Sequence, residues 1–229
     1  MKHSGKAALA ALRLIGFAGA GVLALLAGSL VAKYIGSFVL EYLTWALVGL
    51  WVLFTLFTFY FFRDPDPMVP TGPNLVVAPG HGKVDVIGTT TEADFMGGEC
   101  QRVSIFLSVI DIHVQYAPVT GRVGHFKHTP GQYVNAMRAD SAQFNENVLI
   151  GFDVTEPPGE KMGIRLIAGL IARRIVPWVD QGDAVQRGER ISLIQFGSRV
   201  DVYLPRRAQI KVNLGDKVIG GETVIASLD

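Results

Sequence analysis

Gln195-Phe196-Gly197-Ser198-Arg199-Val200-Asp201-Val202-Tyr203-Leu204-Pro205 carries two messages at once. Val200, Val202 and Leu204 alternate with Arg199, Asp201 and Tyr203, the period of a β-strand with one face turned to a core. Gly197-Ser198 stands at the entrance to that strand. Most Gly-Ser pairs make turns. A Gly-Ser bond entering a strand can also do chemistry on itself. The Ser198 hydroxyl can attack the Gly197 carbonyl and convert the amide to an ester. β-Elimination then divides the chain and leaves a dehydroalanine, which hydrolyses to a pyruvoyl group, an electrophilic ketone that no ordinary side chain offers. The dipeptide alone leaves both readings open.

The strand period recurs on either side. Val103, Ile105, Leu107 and Val109 alternate with Arg102, Ser104, Phe106 and Ser108, and Ile210, Val212 and Leu214 repeat the spacing. Residues 164–175 (IRLIAGLIARRI) read as a short helix or equally as strand. Two repeats stand out. Ala78-Pro79-x-x-Gly82-Lys83-Val84 returns as Ala117-Pro118-x-x-Gly121-Arg122-Val123, and Gly182-Asp183-x-Val185-x-x-Gly188-Glu189 returns as Gly215-Asp216-x-Val218-x-x-Gly221-Glu222. Gly supplies unusual backbone angles and Asp bonds nearby amides, so both are turn patterns. The second is similar to the turns of barrel-sandwich modules such as biotinyl and lipoyl carriers, although the Met-Lys-Met-type hairpin of a carrier is absent. The expected fold is mainly β, a pseudo-duplicated barrel-sandwich-like domain.

At 229 residues the chain has room for one such domain and an appendage. Its formal net charge of +1 gives no global field toward nucleic acid. A single cysteine, Cys100, excludes an intramolecular disulfide and a thiolate metal cluster. The appendage is apolar. Residues 14–32, between Arg13 and Lys33, and residues 42–62, between Glu41 and Arg63, carry no charge. Each approaches the ~20 residues that a helix needs to cross the ~30 Å hydrocarbon layer. Tyr42, Trp45 and Tyr60 sit where interface-seeking aromatics would. These stretches predict a transmembrane helical hairpin in residues 1–62. Lys2, Lys6 and Arg13 before it and Arg63 after it place both ends in the cytoplasm. Residues 63–74 (RDPDPMVPTGPN) form a proline-rich linker, and residues 75–229 form the β domain on the cytoplasmic side of the cell membrane.

Several stretches of the chain, in order from residue 61 to the C-terminus, resemble the phosphatidylserine decarboxylases, especially their short, archaetidylserine-decarboxylase-like branch. Phe196 to Pro205 is similar to the family's processing site. Phe61-Phe62-Arg63-Asp64-Pro65 looks like the entry to its catalytic domain. Val77-Ala78-Pro79-Gly80-His81-Gly82-Lys83-Val84 resembles its Pro-Ala-Asp-Gly-Lys-Val region. Residues 106–118 (FLSVIDIHVQYAP) resemble the segment that bears its active-site histidine. Phe144-Asn145-Glu146-Asn147 and residues 167–175 (IAGLIARRI) resemble two further stretches.

The resemblance implies a carboxy-lyase that converts phosphatidylserine to phosphatidylethanolamine. Self-cleavage between Gly197 and Ser198 would give two chains, α and β, from one precursor, with Ser198 becoming the covalent pyruvoyl cofactor that forms a Schiff base with the substrate amine. It assigns proton transfer or substrate positioning to His113, whose imidazole titrates near neutral pH. A serine-headgroup lipid and a phospholipid membrane are the implied partners, nucleic acid is not among them, and a homodimer is left open. Arg173 and Arg174 read either as a solvated basic edge or as a phosphate-recognising pair. His125 and His128 flank Lys127 at a spacing poor for a metal site, and no metal is expected.

Two positions depart from the family's Asp-His-Ser arrangement for activating the serine. His81 stands at the aspartate position and Tyr116 at the second histidine position. Either His81 deprotonates Ser198 itself, or processing is impaired and the chain is a pseudoenzyme. Two other readings remain: an archaetidylserine-type ether-lipid decarboxylase, whose headgroup chemistry is identical, and a non-catalytic membrane adaptor built on the barrel-sandwich.

Overall fold

The computed structural model describes residues 2–34, 36, 38–132, 144–169, 174–195 and 197–228. The chain divides into two compact units, residues 5–64 and residues 1–4 with 65–229.

The first unit is a pair of helices, α1 (Lys6–Tyr34) and α2 (Phe38–Phe61). Both are long and apolar enough to cross a membrane. At 1.5 Å per residue each exceeds the ~30 Å of hydrocarbon. Large apolar side chains such as Phe17, Leu23, Leu30, Val39 and Leu53 point outward, as on a helix whose solvent is lipid. Gly19 of α1 lies under the Trp51 ring of α2, where a Cβ would sit 3.5 Å from the indole. Small residues admit such close approach. Three hydroxyls in the helices bond locally: Ser29 donates to the Leu26 carbonyl at 2.8 Å, Thr44 to Leu40 at 2.9 Å and Thr58 to Phe54 at 2.8 Å.

The second unit is mainly β, as expected. Its strands are β1 (Leu75–Val77), β2 (Gly82–Glu92), β3 (Gly98–Leu107), β4 (Val114–Tyr116), β5 (Gly121–Thr129), β6 (Asn147–Val154), β7 (Lys161–Ala168), β8 (Ile175–Pro177), β9 (Ala184–Val185), β10 (Arg190–Ile194), β11 (Ser198–Leu204), β12 (Gln209–Ile210), β13 (Lys217–Val218) and β14 (Val224–Ser227). Among the described residues they form an eight-stranded sheet, β13-β2-β3-β11-β7-β6-β5-β9, and two three-stranded sheets, β1-β14-β12 and β4-β10-β8. The two-way reading of residues 164–175 resolves toward strand: β7 ends at Ala168 and β8 begins at Ile175, with residues 170–173 outside the described residues.

The pseudo-duplication is visible bond by bond. Val84 donates its N–H to the Asp216 carbonyl at 2.9 Å and accepts from Gly215 at 2.8 Å; Val123 donates to Asp183 at 2.8 Å and accepts from Gly182 at 2.7 Å. Gly221 donates to Ala78 and Gly188 to Ala117, both at 2.8 Å. Each aspartate closes its turn: Asp216 Oδ2 accepts from the Asn213 N–H at 2.8 Å and Asp183 Oδ2 from Asp180 at 2.9 Å. Gly82 and Gly121 are glycine because a side chain at either would collide with the facing backbone, at Phe106 and Asp153 respectively. One copy of the paired repeats therefore caps each end of the large sheet, through β13-β2 and β5-β9.

β11 lies near the middle of that sheet, antiparallel to β3 and β7. Val200, Val202 and Leu204 are fully buried in the main apolar cluster with Ile105, Leu107, Ile164 and Leu166. Each such side chain contributes about 1.5–3 kcal/mol by leaving water. The strand that begins with Ser198 is thereby held in one register.

Candidate active site

Ser198 is the first residue of β11, paired with Leu107 on β3 and Ala168 on β7. By alternation it shares a face with Val200, Val202 and Leu204, so its side chain is directed at the apolar core. The residue is fully buried, and Ser198 Oγ has no hydrogen-bond partner among the described residues. Leaving a buried hydroxyl unsatisfied costs about 1–3 kcal/mol. The hydroxyl is thereby free of water and of competing partners among the described residues.

Gly197 just before it has φ +73, a left-handed backbone that glycine adopts without strain. Both of its backbone polar groups are engaged. Its N–H donates to His113 Nε2 at 3.0 Å. Its carbonyl accepts from the Gly169 N–H at 3.1 Å.

His113 is 1% exposed, and its surroundings fix its orientation. Nδ1 donates to the Asp111 carbonyl at 2.9 Å. Because the Gly197 N–H can only donate, Nε2 is the acceptor, and the ring proton sits on Nδ1. The 108–111 turn that presents this carbonyl is closed by Asp111. Its Oδ2 accepts from the Ser108 N–H at 2.8 Å, and its own N–H donates to the Ser108 carbonyl at 2.9 Å. The His113 carbonyl accepts from Gln115 Nε2 at 2.6 Å and from the Ile194 N–H at 3.1 Å. Ser192 Oγ in turn donates to Gln115 Oε1 at 2.7 Å.

The opposite flank is held by the Phe144–Asn147 stretch. Asn145 Nδ2 donates to the Ala168 carbonyl at 2.6 Å, and the Ala168 N–H donates to the Glu146 carbonyl at 3.0 Å. Glu146 Oε1 also lies 3.1 Å from His128 Nε2. His125 stacks instead on Phe95, with ring centroids 5.8 Å apart.

His81 follows Gly80 in the connection between β1 and β2. A Cβ on the preceding Gly80 would sit 3.4 Å from Leu107 and 3.8 Å from Val200, both on the face from which Ser198 projects. The His81 ring meets Tyr116 edge-on, with centroids 5.9 Å apart. The two positions that depart from the Asp-His pattern are thus neighbours in space. Arg174 is exposed, and its carbonyl accepts from the Gln195 N–H at 3.2 Å, which puts it close to the approach to Gly197. Arg173 lies outside the described residues.

The other face of β11 carries charge. Asp201 is 1% exposed, and burial pushes its carboxyl above the ordinary range. The nearby Ser104 hydroxyl and the cations of Arg102 and Arg199 offset part of this. Arg199 is itself paired with Asp85. Tyr203 is pushed up to about 12, first by burial and then by Asp201.

The structure therefore brings Gly197, Ser198 and His113 together and sets His81 beside Tyr116. Reading by residue type passed over Asp111, Asn145 and Gly169. Asn145 lies in the polar 144–147 stretch, and its signal was a run of amides and carboxylate between apolar strands. Gly169 acts through its backbone, which leaves no signature in residue type.

A family model described as phosphatidylserine decarboxylase matches residues 54–226. The chain is 43% identical over 182 residues to a protein named phosphatidylserine decarboxylase proenzyme from Desulfotalea psychrophila (strain LSv54 / DSM 12343), an alignment that covers 80% of this chain and 84% of that one. With matches of this extent on a β domain that carries a glycine–serine bond gripped from both sides, the chain belongs to the phosphatidylserine decarboxylase family.

Proposed function

We propose that this protein decarboxylates phosphatidylserine to phosphatidylethanolamine with a pyruvoyl group that it makes from its own Ser198. The observation that carries this reading is the grip on Gly197. Its N–H is held by His113 and its carbonyl by Gly169, while the Ser198 hydroxyl beside it is buried with no partner. These are the parts that conversion of an amide to an ester requires: a desolvated nucleophile, a fixed carbonyl and a donor on the carbonyl oxygen.

The surroundings are also compatible with the group that would form. His113 is bonded to the Gly197 N–H, and Leu107 and Ala168 flank position 198 on the neighbouring strands. At position 198 a pyruvoyl would supply the carbonyl that captures the substrate amine and the electron sink that decarboxylation needs. His113 is assigned to delivering the proton to the former α-carbon or to positioning the headgroup. His81 is the assigned processing base, helped by glycine neighbours that let its ring approach closely. Arg174, with Arg173, is assigned to the lipid phosphate, for which a guanidinium is well shaped. Residues 1–62 are assigned as the membrane anchor, 63–74 as its linker and 75–229 as the catalytic domain, cytoplasmic by the positive flanks of the hairpin. An anchor of this kind keeps the domain within reach of a substrate that does not leave the bilayer.

Denaturing electrophoresis and intact-mass analysis of the protein purified from native membranes test the proposal. The expected result is two chains, the smaller beginning at position 198 with a blocked, pyruvoyl-bearing terminus. Ser198→Ala should give one uncut chain with no decarboxylase activity. A single 229-residue chain from membranes that are active would refute the self-cleavage reading.

A further inference from the structure

Resting on that self-cleavage reading, we infer that the Gly169 N–H is the oxyanion donor for breaking the Gly197–Ser198 bond, and that Asn145 is the positioning residue that aims it. In the first step, the Ser198 Oγ–H proton passes to a base as the Oγ–carbon bond to Gly197 forms. The carbonyl π pair moves onto the Gly197 oxygen, which becomes an oxyanion. Collapse of that centre expels the Ser198 nitrogen, which takes up a proton and leaves an ester. The step is an isomerisation and needs no oxidant or reductant. Loss of the Ser198 α-proton then breaks the Cβ–O bond and releases the Gly197 carboxylate, and water completes the pyruvoyl with loss of ammonia.

Negative charge therefore develops on one atom, the Gly197 carbonyl oxygen. A donor is already there: the Gly169 N–H, 3.1 Å away. In an antiparallel hydrogen-bonded pair, facing residues exchange both N–H···O bonds. Here the return bond is diverted, because the Gly197 N–H goes to His113 Nε2 at 3.0 Å. Gly197 is thus bound by Gly169 on its oxygen only, the side where charge appears.

The donor is itself polarised. The Ala168 carbonyl and the Gly169 N–H belong to one peptide plane. Asn145 Nδ2 donates to that carbonyl at 2.6 Å, so a continuous relay runs from the Asn145 amide through the 168–169 peptide to the Gly197 oxygen. Aligned hydrogen bonds strengthen one another, more so away from water, and Asn145 is 1% exposed. Withdrawal of density toward Asn145 makes the Gly169 N–H a better donor at the moment the oxyanion forms. The Ala168 N–H, bound to the Glu146 carbonyl at 3.0 Å, fixes the tilt of the preceding peptide.

The readout is precursor cleavage, which is independent of turnover on lipid. Full-length protein synthesised in vitro into lipid vesicles is chased in time with and without hydroxylamine, which cuts the ester as soon as it forms. Gly169→Pro deletes the donor; replacing the Gly169 amide by a backbone ester deletes the same N–H without a ring and serves if the proline chain does not fold, as judged by its melting transition. Either change should slow both the spontaneous and the hydroxylamine-dependent cut by about 10²–10³-fold, the usual effect of losing one oxyanion donor. Asn145→Ala should slow ester formation by a smaller factor. It should leave the rate from ester to product unchanged, a split that general loosening of the fold would not produce. Folded Gly169 variants that form the ester at the wild-type rate would overturn the inference. A wild-type chain that stays uncut would instead overturn the self-cleavage reading on which it rests.

Discussion

At the scale of single residues, the proposed assignment divides the labour of two histidines between making the enzyme and running it. His113 is locked by its bond to the Asp111 carbonyl, with Nε2 held on Gly197. His81 lies between Gly80 and Gly82, with its ring edge-on to Tyr116. On the proposed assignment, His81→Ala accumulates uncut precursor, seen as one band where the parent gives two. Normal cleavage in that variant would remove His81 from the processing step. His113→Ala, compared per cleaved chain, should lose about 10²–10⁴ in turnover, the range for a missing general acid. Undiminished turnover per cleaved chain would reassign the proton. In the sequence His113 stands out because side-chain chemistry and motif position coincide, and His81 because it stands where the motif has an aspartate. The Gly169 donor and the Asn145 brace were not legible there. The first is a backbone group, and the second gains meaning only when β7 ends at Ala168 and presents a carbonyl to it.

At the scale of elements, β11 was readable from its alternation alone, since both neighbours in the sheet bury the same face. Two expected continuations failed for the same reason. Val109 extends the alternation of β3, yet the strand stops at Leu107, because Asp111 closes a turn onto Ser108. Val212 and Leu214 extend β12, yet it stops at Ile210, and Asp216 closes the next turn onto Asn213. An aspartate that captures an amide three residues earlier outcompetes periodicity over a short span.

The same strand holds the element's least favourable group. Burial raises the Asp201 carboxyl above its ordinary value of 3.8, so the folded chain holds that proton more tightly than the unfolded chain does. Stability from this group is therefore greatest below the ordinary value. It falls as pH rises through that value toward the raised one, and stays lower above it. Asp201→Asn should consequently stabilise the domain at neutral pH, with the advantage shrinking as pH falls toward the ordinary carboxylate range. A gain of about 1 kcal/mol would appear as a melting point higher by about 2–4 °C. A lower melting point for the variant at neutral pH would show that the offsetting cations, Arg102 and Arg199, outweigh burial.

At the scale of the whole molecule, the β unit and the helical unit answer different solvents. One hides its apolar side chains in a single cluster, and the other turns them outward along both helices. The proposed orientation rests on the charges at the ends of the helices. Lys2, Lys6 and Arg13 precede or open the first apolar stretch and Arg63 follows the second, whereas between them Lys33 is offset by Glu41, 3.8 Å away. Excess positive charge favours the cytoplasmic side, and the proposed orientation puts the β unit there. The chain's single cysteine makes this testable with little disturbance, because Cys100 is buried and burial pushes its thiol above the ordinary range. Lys217→Cys places a thiol at an exposed position of β13. In intact cells, a membrane-impermeant maleimide should leave that thiol unmodified, and should modify it fully once the cells are broken. The reverse control is Tyr34→Cys at the end of α1, where the side chain is 92% exposed and the reagent should react before lysis. Labelling of position 217 in intact cells, with position 34 protected, would invert the assignment and put the lipid headgroups that the enzyme reaches on the outer face.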